Sequence, residues 1–255
     1  MRDRQRSIAH GQVNRFLRQY RFSSGVFTIS SQAMSASLTS RLTQTLRDEL
    51  LNGAFKPGQP LRLNQLCEQF DVSLSPLREA MSRLAAEGLV IAQDQRGYQV
   101  APVSLKNHEE ITALRVMLEP CALRAAMAQG GEEWEVDLVA AHHRLQMIEK
   151  RGAATGEAPA DWEQRHREFH LTLIGAGQMP VLTQFCEKLL DFSDRYRRIF
   201  LRTRPLDRNI PDEHDAILKA ALARDADTAC ALLTQHIERT AANISKMLTA
   251  DLPPA

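Results

Sequence analysis

Aromatic residues are scarce in this chain. Phe, Trp and Tyr make up 5% of its 255 residues, while Ala and Leu are abundant, a balance that favours helices over sheets. Cysteine is also sparse. Cys67, Cys121, Cys186 and Cys230 lie far apart with no C-x-x-C, so reduced, buried thiols in a cytoplasm are expected. No run of about 18 apolar residues occurs, so no membrane span is expected. The N-terminus has no long apolar stretch and makes a poor secretory signal. Net charge is only +1, so bulk basicity gives no argument for nucleic acid. There is no H-E-x-x-H and no nucleophile motif. What remains is a chain that is 44% hydrophobic, ample for a packed core, and long enough for one or two domains.

Charge is unevenly placed. Residues 1–36 carry six arginines and one acid, Asp3, a net of +5, and leave −4 for the rest. Three readings of this segment stand open. It is a basic arm that adds phosphate affinity, an amphipathic helix packed on the body, or an upstream extension with Met34 as the start. Residues 37–103 then form a first domain and residues 108–250 a second.

The first domain is readable from its punctuation. Leu42, Leu46 and Leu50 form an apolar stripe that ends at Asn52-Gly53. Phe55-Lys56-Pro57-Gly58 is a turn. Asn64 can cap a second helix with Leu66, Cys67 and Phe70 inward. Asp71-Val72 is a tight turn into Ser73, which can cap a third helix, and Pro76 is tolerated within that helix's first turn. Leu77, Ala80, Met81, Leu84 and Ala85 recur at helical spacing. Gly88 ends the helix. Leu89-Val90-Ile91 and Tyr98-Gln99-Val100 read as two strands around an Asp94–Gly97 turn. Such a unit sets a short helix in the DNA major groove and a wing near the phosphates.

These residues carry a resemblance. Gly53-x-Phe55-x-Pro57-Gly58, then Ser73-x-Ser75-Pro76-Leu77-Arg78-Glu79-Ala80, then Leu84-x-x-Glu87-Gly88-Leu89-Val90 resemble the winged-helix domain of the GntR family of bacterial transcription regulators. The resemblance implies double-stranded operator DNA as partner, contacted by Ser73, Ser75, Pro76 and Arg78, with Asn64 on the preceding helix and Arg96 and Gly97 on the wing. One departure concerns base readout. The family usually has Arg after the opening Ser, a natural bidentate reader of guanine, and here that position is Leu74. For Arg83 an ion pair within its own helix is the favoured reading.

From His108 onward the pattern is amphipathic helix. Six helices are expected, over about 108–130, 133–150, 161–175, 179–202, 212–224 and 227–249. Short loops between them imply an antiparallel bundle. The fold class is therefore mainly α, an N-terminal winged helix-turn-helix plus a C-terminal antiparallel all-α six-helix bundle. His166 and His170 are spaced i, i+4, which aims both rings at one point. His214 and His236 fall on inner faces of the last two helices. A single inward histidine is more often a hydrogen-bonded core residue than a ligand. Four of them could meet around one divalent cation, and imidazole suits Zn, Ni, Cu or Fe.

His166-x-x-Phe169-His170, Glu213-His214 and Gln235-His236-Ile237 are similar to the FCD effector domain of the FadR-type branch of this family. That likeness implies a divalent transition metal (Zn, Ni or similar) on His166, His170, His214 and His236. His166 stands where the family most often has Asp, and a fourth neutral ligand should leave the site more positive and favour an anionic effector. Arg115, Arg195 and Tyr196 are the expected effector contacts, since a guanidinium forks a carboxylate. Gly130-Gly131-Glu132-Glu133-Trp134-Glu135 and Arg195-Tyr196-Arg197 resemble the CsiR-type repressor subgroup, which implies a small organic acid, plausibly a dicarboxylate. A cytoplasmic homodimeric repressor without catalytic residues follows from the likeness. A metal-dependent enzyme using the four histidines, or a scaffold with a structural metal, are the alternatives.

Overall fold

The computed structural model describes residues 31–93, 97–155, 161–200 and 209–251. All contacts given below lie within the compact unit Thr39–Ala255. The expectations for residues 1–30 and for Arg96 fall outside the described residues. No helix among the described residues is long and apolar enough to cross a membrane.

Helix α1 (Ser31–Leu51) places Leu42, Leu46 and Leu50 on one buried stripe. They pack against helix α2 (Leu63–Phe70) through Leu66 and against helix α3 (Leu74–Ala86) through Leu77, Ala80, Met81 and Leu84. Spacing i, i+3, i+4 puts these side chains on one face, so the 3.6-residue period alone builds this small core. Arg47 on α1 grips Glu87 with two bonds of 2.5 and 2.8 Å. That pair fixes α1 to the residue capping the end of α3.

Two details differ from the sequence reading. Asn64 does not cap α2. The N-cap is Arg62, and Asn64 sits inside the first turn with its side chain exposed. The helix starts two residues early because Leu63 packs against the core, and that burial outweighs a capping bond at Asn64. The wing also has a third strand. β1 (Pro60–Leu61) pairs antiparallel with β3 (Gly97–Val100), which pairs with β2 (Val90–Gln93), giving the order β1-β3-β2. A two-residue strand is too short to show alternation, so periodicity cannot reveal it. Asp71 takes a left-handed conformation (φ 50°) and its N–H caps α2, which makes the tight turn into Ser73.

The bundle comprises α4 (Leu105–Gln129), α5 (Glu132–Thr155), α6 (Trp162–Gly175), α7 (Pro180–Phe200), α8 (Ile210–Leu222) and α9 (Ala226–Asp251). All six helices match the expected ones, with ends displaced by a few residues. Helix α4 packs along α9 and α7, and α5 along α6 and α8. Leu123, Leu138, Leu145, Phe169, Leu173, Ile217 and Leu233 form the core. Ser104 caps α4 by accepting from Asn107 N–H at 3.1 Å, and Asn209 caps α8.

Helix α7 is the element that both halves share. Ser193, Asp194, Arg195, Tyr196 and Arg197 are all buried, so this turn is enclosed on every side. The Arg195 Nη2 donates to the Ala101 carbonyl. The Tyr196 hydroxyl accepts from Ser104 N–H (3.2 Å) and donates to Asn107 Oδ1 (2.9 Å). Arg198 donates to Asn52 Oδ1 at 2.9 Å. Gly88, at φ +75°, lies so close that an added Cβ would stand 2.8 Å from the Phe192 ring.

Candidate functional site

Four histidines converge inside the bundle. His166 and His170 lie one turn apart on α6, His214 on α8 and His236 on α9, and all four are buried. Each offers a ring nitrogen, and these four atoms lie within 4.8 Å of one another. The Nε2 atoms of His166 and His170 face each other at 3.1 Å. Two nitrogens bound to one metal at about 2.0–2.1 Å stand roughly 2.8–3.4 Å apart in octahedral or tetrahedral geometry, so this pair has ligand spacing. Neither ring nitrogen of His214 has a hydrogen-bond partner among the described residues, nor has Nδ1 of His166 or His170. Buried polar atoms without partners are costly, and a cation would satisfy the nitrogen that His214 turns to the cluster.

Electrostatics point the same way. Burial pulls the His166 ring well below the ordinary histidine range, and the Arg197 charge and neighbouring imidazoles add to it. Burial does the same to His170, followed by His236 and His214. Both rings are therefore neutral near pH 7, the form that ligates metal. The cluster could hold a metal ion. The remaining inward histidines differ. His108 meets the Ala241 carbonyl at 3.2 Å, and His142 lies against the Phe169 ring, as core residues do.

The sequence pointed to excess positive charge here, and the fold corrects it. Glu149 Oε1 lies 3.3 Å from His214 Nδ1, and Glu213 Oε2 lies 2.8 Å from His236 Nδ1. Glu163 and Asp194 stand beside His166. These four acids lie on four different helices, and no single linear motif gathers them. Burial and the Glu163 charge push the Asp194 carboxyl up to about 6, against the pull of Arg197. Arg197 is itself held in its charged form. Its burial opposes that, and the ion pairs with Asp194 and Glu163 prevail. Arg197 bonds Glu163 at 2.6 and 2.9 Å and also Asp194. Its guanidinium lies 5.5 Å from the Trp162 ring, which stacks on His166 at 4.5 Å.

The expected effector contacts are redistributed. Arg115 is buried near the cluster, but Glu119 holds it at 2.5 and 3.2 Å and Ser193 Oγ accepts at 2.8 Å. Arg195 and Tyr196 are not brought to the histidines. They face the segment that joins the two halves, as given above. The reason is helical arithmetic: 100° per residue turns Arg195 and Arg197 to nearly opposite sides. Arg197, with Asp194 at i−3, is the member of that run that reaches His166.

In the winged half, Ser73, Leu74, Ser75 and Arg78 are exposed along the start of α3, and Pro76 is half-buried in its first turn. Ser73 is the N-cap residue, without a side-chain capping bond, so its hydroxyl is not committed to the helix. Arg78 makes no ion pair among the described residues. Arg83 pairs with Glu79 at 2.6 Å, in keeping with the reading of an intrahelical pair. Asn64 is exposed on α2, and Gly97 opens β3 at φ +89°.

Residues 38–100 match the bacterial regulatory proteins of the gntR family, and residues 110–239 match the FCD domain. The chain is 38% identical over 207 residues to the HTH-type transcriptional regulator BphR of Paraburkholderia xenovorans, covering 79% of this chain and 83% of that one. It is 35% identical over 196 residues to the HTH-type transcriptional repressor GlaR of Escherichia coli, covering 75% and 89%. Among solved structures, E. coli McbR/YncC is similar with a TM-score of 0.66 at 25% identity, covering 82% of this chain and 97% of that one. A putative GntR regulator from Rhodococcus has the same fold with a TM-score of 0.68 at 21% identity, covering 85% and 100%.

Proposed function

The chain belongs to the GntR family of bacterial transcriptional regulators with an FCD domain, and from that premise we propose that it is a repressor whose grip on operator DNA responds to a small organic acid at a metal centre. The observation that carries this is the convergence of four buried imidazoles in the bundle of a DNA-binding family. His166, His170, His214 and His236 hold one divalent transition metal, zinc or nickel. The metal supplies a Lewis-acid site for a carboxylate, and a dicarboxylate is the favoured class. Arg115 and Arg197 are already neutralised by Glu119, Glu163 and Asp194, so the metal, not a free guanidinium, is the carboxylate's anchor in this reading.

On the DNA side, Ser73, Ser75, Pro76 and Arg78 at the start of α3 enter the major groove, with Asn64 and the wing residues Arg96 and Gly97 at the flanking phosphates. Two copies read a pseudo-palindrome. Met117 on α4 and Val181 and Phe185 on α7 are large exposed apolar residues on two helices that pack together, and they support a homodimer through this face. Helix α7 supports coupling. Asp194 and Arg197 stand at the histidines, while Arg195 and Arg198 bond to the winged half and Tyr196 to the cap of α4 just after it. A ligand that favours one setting of α7 shifts the population able to bind DNA. The likeness to a repressor, GlaR, supports the sign and the subgroup.

The test is metal content per chain by elemental analysis together with fluorescence anisotropy on DNA from upstream of the protein's own gene. About one transition metal per chain, lost in His170→Ala/His214→Ala, and DNA released by a short dicarboxylate only when metal is present, are expected. DNA release by the acid in metal-stripped protein would sink the metal-anchored reading. Failure to bind that DNA at all would favour a scaffold with a structural metal.

A further inference from the structure

Two carboxylates stand beside the Nδ1 atoms of two of the histidines. Glu213 precedes His214 on α8, yet its carboxylate serves the other helix. Its Oε2 lies 2.8 Å from Nδ1 of His236, and its Oε1 accepts from Arg239 at 3.1 Å. Glu149 on α5 is half-buried with its Oε1 enclosed, and that atom lies 3.3 Å from Nδ1 of His214. That oxygen and that nitrogen have no hydrogen-bond partner among the described residues, and they face each other. His166 and His170 have no such carboxylate at Nδ1 among the described residues, and their Nε2 atoms meet each other instead. The four rings are thus of two kinds: a mutually facing pair on α6, and a pair on α8 and α9, each backed by an acid.

We infer that Glu149 and Glu213 are positioning residues of the metal centre: Glu213 holds Nδ1 of His236, and Glu149, 3.3 Å from Nδ1 of His214, closes onto that N–H when the ring turns its Nε2 lone pair to the cation. This rests on the reading of the four histidines as metal ligands. Three physical arguments support it. First, an acceptor at Nδ1 fixes the tautomer, and the opposite nitrogen then carries the lone pair. Second, a carboxylate acceptor makes the imidazole a stronger donor than a neutral one does. Third, four neutral imidazoles leave a divalent cation with its full charge inside a buried cluster. Two acids one bond removed cancel that charge, where a buried net charge is costly. The same balance selects a divalent cation over a trivalent one. It also reduces the net pull on an anionic effector, so the effector must win affinity by direct coordination.

The experiment uses the full chain, stripped of metal and titrated with Zn²⁺ or Ni²⁺ against a chromophoric chelator at one neutral pH. Wild type is compared with Glu149→Gln, Glu213→Gln, Glu213→Asp and the double Gln variant. Each Gln variant is expected to lose about 10- to 100-fold in affinity, and the double variant more than either. Gln keeps the length and the acceptor oxygen but loses the charge, whereas Asp keeps the charge at shorter reach. Glu213→Asp is therefore expected to bind more tightly than Glu213→Gln. Melting curves of the metal-free proteins accompany the titration, because a packing role lowers those midpoints and leaves affinity alone. Gln variants within about twofold of wild type, or an Asp variant weaker than its Gln counterpart, overturn the inference while the metal centre stands. A wild-type chain that takes up neither metal overturns the metal reading itself.

Discussion

Replacing Glu119 with leucine leaves the Arg115 guanidinium buried without its main partner. The two side chains retain 4% and 1% of their exposure, and two bonds of 2.5 and 3.2 Å join them. Removing one partner of such a pair costs about 3–5 kcal/mol, because the surviving charge stays desolvated. Ser193 Oγ remains at 2.8 Å from Nη1, and that bond holds the loss near the lower end, at about 3 kcal/mol. For a cooperative unit of this size that corresponds to a fall of roughly 6–12 °C in Tm. Replacing both residues, Arg115→Met with Glu119→Leu, removes the stranded charge and should restore stability to within about 1 kcal/mol of wild type. Urea or thermal unfolding of the four proteins in the cycle reads both numbers. A single variant that loses under about 1 kcal/mol, or a double variant as unstable as the single, would falsify the view that this pair is an internally balanced structural element. Either result would return Arg115 to the effector.

Gly88→Ala should destabilise by about 1–3 kcal/mol, since it combines a positive φ with a Cβ 2.8 Å from the Phe192 ring, and chemical denaturation measures it. Burial holds His108 below the ordinary histidine range; below about pH 6.5 the unfolded chain then binds the extra proton, and stability falls by up to about 1.4 kcal/mol per pH unit. Wild type should therefore lose stability relative to His108→Leu as pH drops from 7 toward 5, and a pH-independent difference would contradict this sign. Tyr196→Phe should leave zinc affinity unchanged, because the hydroxyl bonds Ser104 and Asn107 rather than the cluster; a tenfold change in a chelator competition would put Tyr196 back in the site. Arg78→Ala should weaken operator binding by about 1–3 kcal/mol if it reads a base, or lower the salt slope by about one if it meets a phosphate, and anisotropy over a salt series tells these apart.

The fold was legible where side-chain period and punctuation agree. The stripe Leu42, Leu46, Leu50, the apolar run of α3 and the six bundle helices are all written in local spacing. So are the four histidines, because i, i+4 on α6 and inner-face positions on α8 and α9 are properties of single helices. The miss at Asn64 shows the limit of capping rules: Leu63 is drawn into the core, and the helix begins where burial wants it. β1 is too short to have a pattern. The charge around the cluster was illegible for a different reason. Glu149, Glu213 and Asp194 reach their histidines only through tertiary packing, and a single sequence shows no pairing between helices; Glu163 sits one turn before His166 on the same helix. Arg195 and Tyr196 were assigned by run rather than by face. Counting from Asp194 by three would have found Arg197, since i and i+3 share a side.

The enclosed turn of α7 has a consequence for protein engineering. A winged domain grafted from a relative onto this bundle would meet Phe192, Arg195 and Arg198, residues shaped to Gly88, Ala101 and Asn52. Chimeric sensors cut at the linker alone would therefore inherit a mismatched seam. A functional exchange has to carry this stretch of α7 with the DNA reader, although some 90 residues of chain separate the two.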